Sequence, residues 1–135
     1  MVRTIEVSNH CRRWIISEAS VVALYQKLDQ NPRYKVGPGV LSVAFVSSFR
    51  MRLLHQQFLQ DASLTDVITF PGDPEFGLAG EIIICPSYAE QQAKRFRTGL
   101  DDEIKLYLIH GFLHLAGLND KTPEECTVMR MAEAY

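Results

Sequence analysis

A chain of 135 residues is long enough for one domain with a core of its own, since folding at that length buries roughly two-thirds of the unfolded chain's surface. A net charge of −2 excludes a strongly basic protein that holds nucleic acid by bulk charge, so any RNA contact must be a local patch. Three cysteines, Cys11, Cys85 and Cys126, lie far apart with no Cys-x-x-Cys pair and read as buried thiols of a reduced, cytoplasmic protein.

The N-terminus, MVRTIEVSNHCRRW, is too polar for a signal peptide, and no apolar run approaches the length of a membrane span. Residues 2–7 alternate well enough for a first strand. Residues 17–28 carry Val21, Leu24, Tyr25 and Leu28 at helical spacing, and Asn31-Pro32 stops that helix. The run VLSVAFV at 40–46 is apolar and rich in β-branched residues, a buried strand. Ser48 is placed to cap a helix in which Met51, Leu54 and Phe58 share a face. TDVITF, residues 65–70, reads as the next strand. Residues 71–80 (PGDPEFGLAG) hold two prolines and three glycines and read as a loop. EIIIC, 81–85, is a strand that returns antiparallel to 65–70. Residues 88–97 form a helix. Another begins near Asp101, where Asp101, Asp102 and Glu103 suit its positive end. TPEE at 122–125 combines a capping box with an early proline and opens a last helix. The order β α β α β β α α α predicts an α+β, sandwich-like fold: a small mixed four-stranded sheet packed with about five helices, one domain over 1–135.

The chemistry concentrates in HGFLHLAGLND, residues 110–120. His110 and His114 are four apart, which stacks both imidazoles on one helical face. The preceding IKLYLI is apolar apart from Lys105, so the helix is buried and each histidine needs a partner. Gly117 suits the left-handed cap that ends a helix. The chain can then double back and bring Asp120 toward the pair. Two histidines and a carboxylate with one open position are the ligand set of a catalytic zinc site. Such an ion lowers the pKa of its water to about 7 and polarises a carbonyl or phosphoryl oxygen. Metal-assisted hydrolysis follows from these residues, with no side chain assigned as nucleophile. A zincin-type protease is disfavoured, because Gly111 stands where the general-base Glu must follow the first His. A non-haem iron oxygenase uses the same ligands but on folds that are typically all-β.

These residues resemble a family. HGFLHLAGLND is similar to the HGxLHLxGYDH signature of the YbeY family, metal-dependent endoribonucleases of bacterial rRNA maturation. His110, Gly111, Leu113, His114, Leu115 and Gly117 fit, whereas Leu118, Asn119 and Asp120 stand where the family has Tyr, Asp and its third His. TDVITFP looks like the family's TDVLSFP, and Gly80, Glu81 and Ile82 like its GDI, so three blocks occur in family order. The family's LNxxxR differs here: His55 replaces the Asn, and Leu59 replaces an Arg that binds substrate phosphate.

The resemblance implies one divalent ion per chain, zinc, held by His110, His114 and Asp120. It implies cleavage of single-stranded stretches of rRNA precursor in the cytoplasm, with the small ribosomal subunit as partner and no membrane. Attack by the metal's water and activation of the RNA's own 2′-hydroxyl both remain open. Asp66 and Glu81 are candidates for a carboxylate facing the site, and each is equally readable as a strand-start residue. Arg50 and Arg52, on the helix of Leu59, are the nearest candidates to replace the family's phosphate-binding Arg. A non-catalytic ribosome-assembly factor with a structural or absent metal is the alternative reading, and another metal-assisted hydrolase a lesser one.

Overall fold

The computed structural model describes residues 4–11, 17–30, 36–37, 39–59 and 67–116, with 58, 59, 71 and 74 described as backbone only. Among these the elements run β1 (Ile5–Asn9), α1 (Glu18–Asp29), β2 (Val40–Phe45), α2 (Ser48–Leu59), β3 (Val67–Asp73), a short 3-10 turn (Pro74–Phe76), β4 (Leu78–Ile84), α3 (Pro86–Phe96) and α4 (Leu100–Leu115). The expected helix from residue 122 lies outside the described residues.

The sheet has the order β1-β2-β4-β3. β1 pairs parallel with β2 and β2 parallel with β4, while β3 runs antiparallel to β4 at the edge. This is the mixed four-stranded sheet with helices expected of an α+β fold. The first strand sits later than expected, at Ile5–Asn9, because it is residues 5–9 that find partners in Leu41–Phe45.

Alternation decides what each strand buries. Leu41, Val43, Phe45, Ile82 and Ile84 are fully buried on one face, packed with Val21 and Tyr25 of α1 and Ile104, Leu108 and Phe112 of α4. The opposite face carries Ile68, Ile83 and Ala44, with Met51 and Leu54 of α2 over it. α1 starts as its sequence dictates: the Ser17 hydroxyl accepts from the Ser20 amide at 3.2 Å. α2 is capped by Ser47, not by Ser48 as expected. The Ser47 hydroxyl accepts from the Arg50 amide at 3.2 Å, and Ser48 is already the first helical residue.

The stretch expected as a loop, residues 71–80, is mostly strand. Pro71 pairs with Gly80 and Asp73 with Leu78, and only four residues connect the two strands. Proline is tolerated because β3 is the edge strand and needs no outward N–H bond. Gly77 turns the chain with φ +66, a left-handed conformation that favours glycine. Ala79 forms a bulge where the β2–β4 register shifts between Val40 and Leu41. Cys11 and Cys85 are free and buried, as expected, and Cys126 lies outside the described residues. Burial raises the pKa of both thiols, so they are poor nucleophiles.

Candidate metal centre

α4 begins after Gly99, and its first turn carries Asp101, Asp102 and Glu103, the arrangement its positive end favours. The Thr98 hydroxyl donates to the Glu103 carboxylate at 3.0 Å, fixing the α3–α4 junction. Three contacts then set the height and rotation of α4 on the sheet. Phe112, fully buried, stacks on Tyr25 with centroids 5.8 Å apart. The Tyr25 hydroxyl donates to the Leu108 carbonyl at 2.9 Å, and burial holds that phenol well above its ordinary pKa. Gly111 lies directly on Ile82, where a Cβ would come within 2.8 Å of the Ile82 side chain. One turn on, Leu115 covers Gly80, whose own Cβ would meet the Leu115 methyls at 2.8 Å. Gly111 and Gly80 are therefore what allows this end of α4 to sit close to β4.

His110 and His114 emerge half-buried beside that contact. Their Nε2 atoms are 3.0 Å apart, with ring centroids at 4.6 Å and planes 65° from parallel. Two nitrogens bound tetrahedrally to one zinc ion at about 2.0–2.1 Å lie roughly 3.3 Å apart. The pair is within a few tenths of an ångström of that spacing, so the donors present fit a divalent ion. One imidazole donates to the other, in a direction set by the tautomers.

Asp120 and Asp66 lie outside the described residues. Among the described residues no three His, Cys, Asp or Glu side chains converge. Glu81, a candidate to face the histidines, instead projects from the opposite face of the sheet. Its chain neighbours Gly80 and Ile82 lie under Leu115 and Gly111 of α4, so alternation turns Glu81 away. Glu81 instead lines a cavity with Arg50, Leu54, Phe70 and Ile83. Arg50 and Arg52 are both exposed on α2, the helix on that same opposite face, and are not brought together with the imidazoles. The side chain of Leu59 is not among those described.

His10 went unremarked in the sequence. It follows β1 and lines the cavity of Arg50 and Glu81. The signal was the polar alternation Glu6, Ser8, His10 against Ile5 and Val7, which puts all three on one face.

Fold and histidine pair together define a small α+β protein with two converging imidazoles on a helix packed against the sheet, a donor pair whose spacing fits a divalent ion. The profile of the endoribonuclease YbeY family matches residues 3–135. An endoribonuclease YbeY of Kineococcus radiotolerans is 34% identical over 134 residues, covering 92% of this chain and 69% of that protein. One from Thermobifida fusca is 34% identical over 127 residues, covering 82% of each. The solution structure of the Thermotoga maritima protein TM1509 superposes with a TM-score of 0.61 at 28% identity, covering 96% of this chain and 87% of the other. The chain belongs to the YbeY family.

Proposed function

We propose that this chain is a zinc-dependent endoribonuclease that cuts single-stranded stretches of rRNA precursor in the cytoplasm, working with the small ribosomal subunit. The carrying observation is the 3.0 Å approach of His110 Nε2 to His114 Nε2 on a helix held against the sheet. Membership of a family whose relatives are named endoribonucleases supports the reaction class. Among the described residues no helix is long and apolar enough to cross a membrane.

His110 and His114 would hold the ion, with Asp120 as third ligand in the place of the family's third His. When bound, the ion supplies Lewis-acid polarisation of a phosphoryl oxygen and a nucleophile at neutral pH. The chain's own part is orientation. Gly111 seats the helix on Ile82, and the Phe112–Tyr25 stack and the Tyr25–Leu108 hydrogen bond prevent its rotation. Both imidazoles therefore reach the ion already positioned, which lowers the reorganisation needed for binding and catalysis. Arg50 and Arg52, exposed on α2, are cations available to neutralise RNA phosphates in place of the family's Arg.

The test is metal content per chain on protein purified without added metal, together with cleavage of single-stranded rRNA-precursor oligonucleotides. One zinc per chain and zinc-dependent cleavage are expected. Metal-free protein that also fails to cut after zinc is restored would rule the proposal out in favour of a non-catalytic assembly factor.

A further inference from the structure

The sheet face turned away from α4 is covered only in part. α2 lies over Ile68, Ile83, Val46 and Cys85. Toward β1 the same face carries Ser8, Ser42 and Ala44, whose small side chains leave a hollow. This is a cavity of about 510 Å³ bounded by Arg50 and Leu54 from α2, Phe70 and Glu81 from the sheet, and His10 beyond β1. Register places the groups in a row: Ser42 lies opposite Glu81 across β2–β4, and Phe70 lies opposite Glu81 across β3–β4. A carboxylate thus stands between an aromatic ring and a hydroxyl, with a guanidinium on the helix facing them. Among the described residues no ion pair joins Arg50 to Glu81.

These groups select a ligand by hydrogen-bond pattern. A carboxylate accepts only, through two oxygens. Guanine alone among the four RNA bases offers two adjacent donors on its Watson–Crick edge, N1–H and the N2 amino group. Adenine and cytosine set a ring-nitrogen acceptor beside their amino group, and the N3–H of uracil is flanked by two carbonyls. Each of those acceptors would face a carboxylate oxygen. The Phe70 ring gives an apolar wall for a base to pack on, and unpaired RNA bases are commonly read by such stacking together with contacts to their edges. Arg50 suits the accompanying phosphate, which a guanidinium can grip through two N–H groups.

The location fits as well. Gly80 and Ile82, on either side of Glu81, are the residues on which the histidine-bearing end of α4 rests. The cavity and the histidine pair therefore lie on opposite faces of the sheet, back to back across β4. We infer that this cavity, through Glu81, Phe70 and Arg50, binds the base of a guanosine in single-stranded RNA. The inference rests on the proposed RNA substrate.

The experiment is fluorescence anisotropy with labelled oligouridylate and the same oligonucleotide carrying one central guanosine or one central adenosine. The full-length His114→Ala protein is used so that binding is read without cleavage. The guanosine oligonucleotide is expected to bind about tenfold tighter than either of the others, the scale of one good bidentate base contact. Glu81→Gln, an isosteric change at an exposed position, should erase that preference without weakening oligouridylate binding, which the loss of a negative charge can only strengthen. Equal affinity for the three oligonucleotides, or a guanosine preference that survives Glu81→Gln, overturns the inference. Wild-type cleavage of the same oligonucleotides separates the two readings. Cleavage with no guanosine preference sinks this inference alone, and a Glu81-dependent preference without zinc-dependent cleavage sinks the nuclease reading alone.

Discussion

The two faces of one sheet are built from the same strands and do opposite work. In β2 the residues alternate between Leu41, Val43 and Phe45, all fully buried, and Ser42 and Ala44, small and half-buried. In β4 they alternate between Ile82 and Ile84 on one side and Glu81 and Ile83 on the other. The first face is large, apolar and closed by α1 and α4, and it carries the helix with the histidine pair. The second is closed over Ile68 and Ile83 but open over the small residues. The difference shows how a period-2 pattern divides labour: one face immobilises a chemical group, the other leaves room for a ligand. A one-residue slip in register would exchange the two sets and destroy both.

The strongest way to break the closed face is at the histidines it holds. His114→Ala should abolish tight divalent-metal binding, read as metal per chain after dialysis. Loss of supporting contacts around metal ligands alone costs about 10–100-fold in affinity, so loss of a ligand should exceed that. Thermal stability should fall with it, because an ion bound only to the folded chain stabilises it by mass action. Asp120→Ala should weaken binding in the same way, whereas Asp120→His should retain it, since imidazole is also a zinc ligand. Unchanged stoichiometry in His114→Ala would remove the metal centre from this face. Unchanged affinity in Asp120→Ala would remove only the third ligand.

The contact that seats the histidines is the next target. Gly111→Ala adds a Cβ at 2.8 Å from Ile82 Cγ2. Ile82 is fully buried and β-branched, so its side chain cannot swing away and α4 must lift. Alanine favours a helix over glycine by up to about 1 kcal/mol, which offsets part of the strain. Overpacking typically costs about 1–3 kcal/mol, so a net loss is expected in urea unfolding. Ile82→Ala in the same chain should reverse part of that loss, a coupling that a double-mutant cycle reads directly. Additive losses would show that Gly111 serves no close approach.

How much of this was legible beforehand differs between the faces in the same way. The closed face announces itself: Val21, Leu24, Tyr25 and Leu28 follow helical spacing, VLSVAF reads as a strand, and His110 and His114 four apart must share a helical face. The open face does not. Its residues are recognisable only once register is known, because Glu81 and Gly80 are neighbours in sequence yet belong to opposite sides of the sheet. From the sequence Glu81 is therefore readable either as a strand-start residue or as a carboxylate beside the histidines, and only alternation turns it to the other face. His10 passed unnoticed because a single polar residue after a strand carries no motif. Residues 71–80 looked like a loop because proline and glycine usually punctuate. They form strand here because β3 is an edge, tolerant of proline, and because Gly80 must let Leu115 approach.

A finer probe of the closed face is Tyr25→Phe. The hydroxyl is wholly buried and donates to the Leu108 carbonyl at 2.9 Å, so its removal should cost about 1 kcal/mol at neutral pH. The same variant should change the alkaline limb of the stability curve. Burial raises the folded-state pKa of Tyr25 well above its ordinary value. The stability that the neutral phenol contributes is thus fully present below the unfolded pKa of about 10, and is lost as pH rises toward and through the folded value. Cys11 and Cys85, also raised by burial, should begin the decline earlier, from about pH 8.5 upward. Melting temperatures across pH 7 to pH 11 should show Tyr25→Phe less stable than wild type near neutrality and falling less steeply above about pH 10. Parallel curves would mean that Tyr25 does not titrate with unfolding.

The smallest expected effect belongs to the open face. Arg52 is exposed on α2, so Arg52→Ala should leave stability within about 0.5 kcal/mol of wild type. Its expected role is electrostatic: neutralising one RNA phosphate where Leu59 has replaced the family's Arg. Each phosphate contact on a single strand contributes about −0.7 to the slope of log affinity against log salt. Arg52→Ala should reduce the magnitude of that slope by roughly this amount and weaken binding a few-fold at about 0.1 M salt, with the difference shrinking as salt rises. Because the contact is to backbone, the loss should be the same for oligouridylate and for the guanosine oligonucleotide, unlike that of Glu81→Gln. A slope identical to wild type would mean that Arg52 is a solvated surface residue and that the missing Arg has no replacement at this position.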